Sequence, residues 1–362
     1  MNENSIINIL NTIRDNASDE YKNRVPKATR DNIEEVGNPI LTYEAIQNEY
    51  LNAIVNKIAL QVVHNKIAQN PLKVLKKGTQ PLGSDIEEIF TNMAKAETYD
   101  PTGQKLLTVT KPDVKTIYHR MNRRDVYPVT IYDDELKLAF TNYSKMGELI
   151  TSIINSLYSG DNYDEYVLSK NLIGSVIKNE YAKIIEVEFE DADDSKELAK
   201  AIQKFSGLMK YPKSDFNSYI TKVLEDNPNS EEKPVVTWTP TEDQILLIRS
   251  DVLVDINFDV LANVFQLEKA ELKNMILEVD DFGEGGENCL ALLCDRSAFE
   301  IRDNKYETKS FYNGNGLYWN YWLHHWQTYS FSSFANAIAF CTASENEETG
   351  NNGGNEEVQG ES

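Results

Sequence analysis

The chain is poor in the residues that most readily announce a chemistry. Three cysteines, Cys289, Cys294 and Cys341, are few and odd in number, so a disulfide framework is not expected and reduced thiols in a reducing compartment are. Of four histidines, His64 and His119 stand alone, and His324 and His325 are neighbours, which on a strand sends them to opposite faces. Cys289 and Cys294, five apart in a strand-like segment, are likewise expected on opposite faces as core thiols, so no metal site and no cofactor follow. Basic residues are outnumbered, 36 Lys and Arg against 58 Asp and Glu, for a net charge of −22, which excludes a chain that holds nucleic acid by neutralising phosphates. No apolar run approaches the roughly eighteen residues of a membrane span. No basic region precedes the short apolar patch at Ile6 and Ile7, so neither a secretory signal nor a transit peptide is expected.

What is present is a core-forming composition, 41% hydrophobic and 10% aromatic, too apolar for an acidic disordered chain. The residues from Ser344 onward are the exception, with Glu345, Glu347, Glu348, Glu356, Glu357 and Glu361 among Gly and Asn. This reads as a disordered acidic tail.

Charge within the body is segregated. Tyr50 to Ser84 has no acidic residue and carries Lys57, Lys66, Lys73, Lys76 and Lys77; Asp85 to Asp100 sets five acids, Glu87 and Glu88 among them, against Lys95; Lys105 to Arg124 is basic again except for Asp113. Pro71, Gly78, Pro81, Gly83, Pro101, Gly103 and Pro112 disfavour helix across this stretch. The expected form is a long, polarised, hairpin-like arm that buries little of itself and requires a partner surface.

Beyond Pro128 a period of 3.6 aligns Leu136, Phe140, Tyr143, Met146, Ile150, Ile153 and Leu157, predicting one long helix from Asp133, ended by Gly160. A second helix is expected over about 164–178 and a third over about 195–210. Ile185, Val187 and Phe189 alternate with glutamates as a half-buried strand. A proline-marked loop spans 226–241; 244–256, 275–279 and 288–294 read as extended, and 259–272 as helical. The C-terminal run of Phe311, Tyr312, Tyr318, Trp319, Tyr321, Trp322, Trp326, Tyr329, Phe331 and Phe334 follows Asn-Gly pairs that mark a hairpin turn, and a strand aromatic on both faces is expected to be covered on both.

Catalytic signals do not assemble. Gly283, Gly285 and Gly286 lack the Lys-Ser/Thr ending of a phosphate loop and sit among carboxylates, so a flexible acidic loop is expected there. Carboxylate pairs such as Asp280 with Asp281 are commonplace at this acid content, and no nucleophile is fixed by spacing. A sugar-stacking carbohydrate enzyme is the strongest catalytic alternative, but the profile suits an assembly subunit better.

Several blocks resemble a known family: NPLKVLKKGTQPLG from Asn70, IEEIFTN from Ile86, NRRDVYPVTIYDDELKLAF from Asn122, DINFDVLANVF from Asp255 and GLYWNYWLHHWQTYSFSSFANAIAF from Gly316. They are similar, in the same order, to the major capsid protein of short-tailed phages of the phi-twenty-nine group. The resemblance implies an α+β chain of the HK-ninety-seven-type capsid fold. It maps an N-terminal arm and start of the P-domain onto 1–68, an E-loop onto 69–115, P-domain with spine helix onto 116–180, A-domain onto 181–299, returning P-domain strands onto 300–343 and the tail onto 344–362. It further implies self-assembly into pentamers and hexamers of a head enclosing double-stranded DNA with only weak contact, a scaffolding protein and a portal or connector as partners, assembly in the host cytoplasm, no membrane and no catalysis. An encapsulin-like compartment shares the fold. Lys73, Lys76 and Lys77, with Glu87 and Glu88, are the expected intersubunit contacts of the arm. Some members of the group carry an immunoglobulin-like domain after the core; here the sequence runs instead into the acidic tail, so a decorating role is not carried over.

Overall fold

A computed structural model describes residues 3–54, 70–99, 101–102, 107–141, 143–189, 194–256 and 275–343. The expected helix over 259–272, the acidic tail, and Lys57, Lys66 and Lys105 lie outside these residues.

Four helices open the chain, α1 (Glu3–Asn16), α2 (Asp19–Arg24), α3 (Ile33–Thr42) and α4 (Glu44–Ala53). Ile9, Ile13, Ile40, Tyr50 and Leu51 on their inner faces share one buried cluster with Leu136, Met146, Leu157, Tyr321 and Leu323. The single helix expected from Asp133 to Gly160 is two helices, α5 (Asp133–Ala139) and α6 (Tyr143–Ile154), and one π-helical turn at Asn155–Ser159 joins them without a break to α7 (Gly160–Lys178), where a separate helix was expected over about 164–178. Gly160 therefore does not end the helix. The wide π turn absorbs the change of register and the chain continues helically.

Two larger sheets flank this spine. One is four-stranded in the order β1 (Lys76–Thr79), β9 (Phe299–Asn313), β10 (Tyr318–Phe331), β4 (Arg123–Tyr132), with β1 parallel to β9 and the rest antiparallel. Pro128 sits within β4, which is tolerable because β4 is an edge strand. The turn between β9 and β10 is closed by Asn313, whose Oδ1 accepts from the backbone N–H of Asn315 at 3.1 Å and of Gly316 at 3.2 Å. The central strand β10 buries Trp319, Tyr321, Leu323 and His325 on one face, whereas Trp322, His324 and Trp326 on the other are half-buried. Coverage of both faces, as expected from the aromatic run, is thus complete on one face only.

The second sheet is five-stranded, β5 (Lys183–Glu186), β11 (Ala337–Cys341), β8 (Cys289–Asp295), β6 (Gln244–Arg249), β7 (Ile276–Val279). Its two faces feed two clusters. Ile245, Leu247, Leu292 and Ala339 pack with Ile173, Val176 and Ile177 of α7. Leu246, Ile248, Leu293 and Phe340 pack with Leu198 and Ile202 of α8 (Asp194–Met209). Burial on both faces explains why β6 and β8 read as unbroken apolar runs. After Arg249 the chain enters a short helix, α10 (Ser250–Asp255), where an extended segment was expected; α9 (Tyr219–Asp226) precedes the proline-marked loop.

Two expectations about cysteine are corrected here. The ladder between β11 and β8 shifts register between Phe340 and Cys341, pairing Phe340 with Ala291 but Cys341 with Cys289. Leu290 is the extra residue of a bulge. The bulge inverts side-chain parity, so Cys289 and Cys294 contribute to the same cluster and not to opposite faces. It also sets Cys341 opposite Cys289, and the two form a disulfide across 52 residues, leaving Cys294 as a free, buried thiol. Burial pushes that thiol up, well above the ordinary range.

The glycine loop is held close, not loose. A Cβ on Gly174 of α7 would lie 2.5 Å from the carbonyl oxygen of Glu284 and 2.6 Å from that of Phe282, so only glycine admits this approach. Lys170 reaches Asp281 at 2.9 Å and Asp280 at 3.3 Å, and Lys178 reaches Glu284 at 2.9 Å. The Gly285 N–H donates to the chain's own Glu287 carboxylate, which occupies the place an anion would take in a phosphate loop.

Candidate assembly surface

The arm begins at Asn70, whose Oδ1 accepts from the Leu72 N–H at 2.8 Å and caps a 3-10 turn over Pro71–Leu75. Leu72 and Leu75 are buried beneath α7, while Lys73 and Val74 face outward. The following two residues enter β1 and are engaged by their own chain. Lys76 Nζ lies 2.9 Å from Glu165 of α7 and 2.9 Å from Asp303 of β9. Burial works against its charge, but these two carboxylates prevail and raise its pKa. Lys77 pairs with Glu300 and donates to the Ser297 carbonyl at 2.7 Å. Successive residues of a strand point to opposite faces, and each lysine meets an acid of its own subunit.

Past β1 the arm forms a two-stranded hairpin, β2 (Ile86–Thr91) antiparallel to β3 (Val114–His119). Its inner face is docked. Phe90 and Ile117 pack on Tyr219, Val235 and Phe334, with the Phe90 and Phe334 rings 5.5 Å apart. Lys115 pairs with Glu232 and with Asp113, the latter at 3.1 Å, and Asn92 bonds the backbone at Pro234 and Val236. Glu88 belongs to this inner set: it lies 3.0 Å from Nε2 of buried His119, whose Nδ1 is 2.7 Å from the Ser330 hydroxyl.

The outer face and the tip are the opposite. Glu87 is exposed and only accepts from the Tyr118 hydroxyl at 3.3 Å. Ile89, Tyr118 and Val114 are each more than half exposed, and toward the tip Tyr99 reaches 87%, Leu107 91% and Val109 81%. Large apolar side chains left this open on one continuous excursion are unusual for a surface that stays in water. The alternation of the hairpin sequence marks both faces as apolar, but which face docks in cis was illegible without Phe334 and Val235, more than a hundred residues away.

Within the aromatic run, cations stack on an indole. Trp326 takes Arg124 at 5.5 Å and Lys305 at 4.7 Å over its ring. Among the described residues no group of three or more His, Cys, Asp or Glu side chains is arranged to hold a metal ion, and no helix is long and apolar enough to cross a membrane.

Residues 10–341 match the family of Phi29-like phage major capsid proteins. The chain is 34% identical over 336 residues to the major capsid protein of Bacillus phage B103, covering 92% of this chain and 72% of that one. It is 26% identical over 346 residues to that of Streptococcus phage Cp-1, covering 92% and 93%. Among solved structures it is similar to the capsid of Staphylococcus phage Andhra, with TM-score 0.62 at 14% identity over 76% of this chain and 85% of that one. A structure of the head fiber and inner core protein of native bacteriophage P68 contains a similar chain, with TM-score 0.60 at 12% identity over 76% and 86%. The fold is the α+β HK-ninety-seven-type capsid fold that the sequence led us to expect.

Proposed function

The chain belongs to the family of Phi29-like phage major capsid proteins, and from that premise we propose that it closes into a head of pentamers and hexamers around double-stranded DNA through its arm. Members of the family are structural proteins of the virion, not enzymes, which removes the carbohydrate-active reading. The observation that carries the proposal is the arm's division of labour. Its base and inner face are fixed to their own subunit, while Tyr99, Leu107, Val109 and the outer face of the hairpin cover nothing. A surface of this kind gains from repetition, since each contact is modest and symmetry multiplies it.

In this reading residues 69–115 are the E-loop, 116–180 and 300–343 the P-domain with its spine, and 181–299 the A-domain. The intersubunit role falls to Lys73 and Glu87, which face outward, with Lys76, Lys77 and Glu88 holding the arm at the angle that presents them. The net charge of −22 suits a container whose wall binds phosphates weakly and lets the genome move. A scaffolding protein and a portal are the partners such a head requires, and the host cytoplasm is its place of assembly.

The test is electron microscopy of the protein co-expressed with a scaffolding protein, comparing wild type with a Leu107→Asp, Val109→Asp variant. Closed shells from wild type and none from a variant with unchanged circular dichroism are expected. Wild-type-like shells from the variant would remove the arm from the proposal, and soluble monomers from wild type across salt and concentration would overturn it entirely.

A further inference from the structure

Beneath the arm's base lies a buried ionic cluster that the sequence did not suggest. His325 of β10 is 1% exposed. Its Nδ1 is 2.5 Å from Asp161 Oδ1 of α7 and its Nε2 is 2.9 Å from Asp303 Oδ1 of β9. Asp161 also receives Arg123 of β4 at 3.1 Å, and Asp303 also receives Lys76 at 2.9 Å and the Gln327 amide at 2.8 Å. Glu165 completes the group, 2.9 Å from Lys76. Tyr306 of β9 stands edge-on to the imidazole at 4.7 Å, Tyr158 of the π turn is buried nearby, and the Tyr329 hydroxyl donates to the Gln327 side-chain Oε1 at 3.0 Å.

A neutral imidazole has one N–H, and a carboxylate has only acceptors. With a carboxylate oxygen on each ring nitrogen, one of the two contacts lacks a proton unless the ring carries both. The charges agree: buried Asp161, Glu165 and Asp303 face Arg123, Lys76 and His325, and Arg123 is shared with half-buried Asp125 at 2.6 Å, so a neutral ring leaves the enclosed set with an excess of negative charge, which is costly. Asp303 keeps its charge, held down at about 2 because His325 and Lys76 together outweigh the effect of burial.

We propose that Asp161, doubly protonated His325 and Asp303 form a strut that, with Lys76, ties the base of the arm to the spine, and that loss of the ring proton to solvent base releases the base. The strut needs no partner chain, so it stands whether or not the arm closes a shell. Burial alone would lower the imidazole's pKa, yet the hydrogen bonds and charges of Asp161 and Asp303 raise it above the ordinary value. A raised folded value means that the stabilisation is complete below about 6.5 and is lost as pH climbs through the raised value. The strut is therefore closed at mildly acid and neutral pH and opens on the alkaline side.

The experiment is hydrogen exchange by mass spectrometry on the full-length unassembled subunit from pH 6 to 10, corrected for the intrinsic pH dependence of exchange. Protection of residues 76–80, where the Gln80 N–H donates to the Asp303 carbonyl at 2.7 Å, is expected to fall at least about tenfold across the range, while β8 stays constant. His325→Gln is expected to show low, pH-independent protection of the same residues. Wild-type protection and profile in that variant would overturn the proposal. Should the variant not fold, nitrogen-15 spectra of histidine-labelled wild type decide, with His325 assigned through His64→Gln, His119→Gln and His324→Gln. A doubly protonated ring persisting at pH 7.5 supports the strut, and titration at or below the ordinary range refutes it.

Discussion

The same helix serves two sheets by opposite means. The C-terminal half of α7 presents Ile173, Val176 and Ile177 to the five-stranded sheet, where every residue of β11 and nearly every residue of β6 and β8 is buried and apolar contact does the holding. Its N-terminal half presents Asp161 and Glu165 to the four-stranded sheet, where Arg123, Lys76 and His325 meet them in an enclosed ionic set. An apolar interface loses stability in proportion to the volume removed. An ionic one depends on being complete, since a single missing partner strands a charge away from water.

Removing one charge should therefore have the largest effect. Asp161→Ala leaves Arg123 and His325 without their shared carboxylate and is expected to cost ~3–5 kcal/mol in denaturant unfolding. The double variant Arg123→Met, Asp161→Leu should recover part of that loss; no recovery would mean that packing, not charge balance, governs this sheet. In the other sheet, Leu292→Ala is expected to cost ~2–5 kcal/mol, by the same amount from pH 5 to 9. An increment that varied with pH would erase the contrast between the two sheets. The smallest effect is an acid limb. Asp303, held at about 2, contributes stability that is complete above the ordinary carboxylate range and lost as pH falls through that range toward 2. Exchange protection in β9 should consequently fall before that in β8 as pH is lowered from 5 to 3; simultaneous loss would show that the sheets do not respond separately.

Much of this architecture was legible because its signals are local. The stripe of Leu198, Ile202 and Phe205 marks α8, and the Asn-Gly pairs after β9 mark a hairpin whose side-chain chemistry the structure repeats. What was illegible depends on distant strands. The bulge at Leu290 is visible only against β11, so neither the shared face of Cys289 and Cys294 nor the pairing with Cys341 follows from spacing. Gly160 is a helix breaker by propensity, but packing of the spine overrides it. The ionic cluster was missed because its members lie between residues 76 and 325 and each alone resembles solvated surface. A faint signal exists: Asp161 and Glu165 are one turn apart on a helix, and His325 and Gln327 share a strand face, so two polar pairs repeat at the period of their own element. The arm's charge pattern showed that the segment is special without telling which lysines turn inward.

The parallel pairing of β1 with β9 has a mechanical consequence. A pull along the arm, directed down the axis of β1, loads the Gln80 contact to Asp303 together with the ionic grips of Lys76 and Lys77, because all of them cross the same pair of strands. Such a joint yields in shear, with its bonds strained at once, and not by peeling one bond after another. The arm is thus rooted by a shear joint, in which a load along it is shared among these contacts and not borne by one at a time.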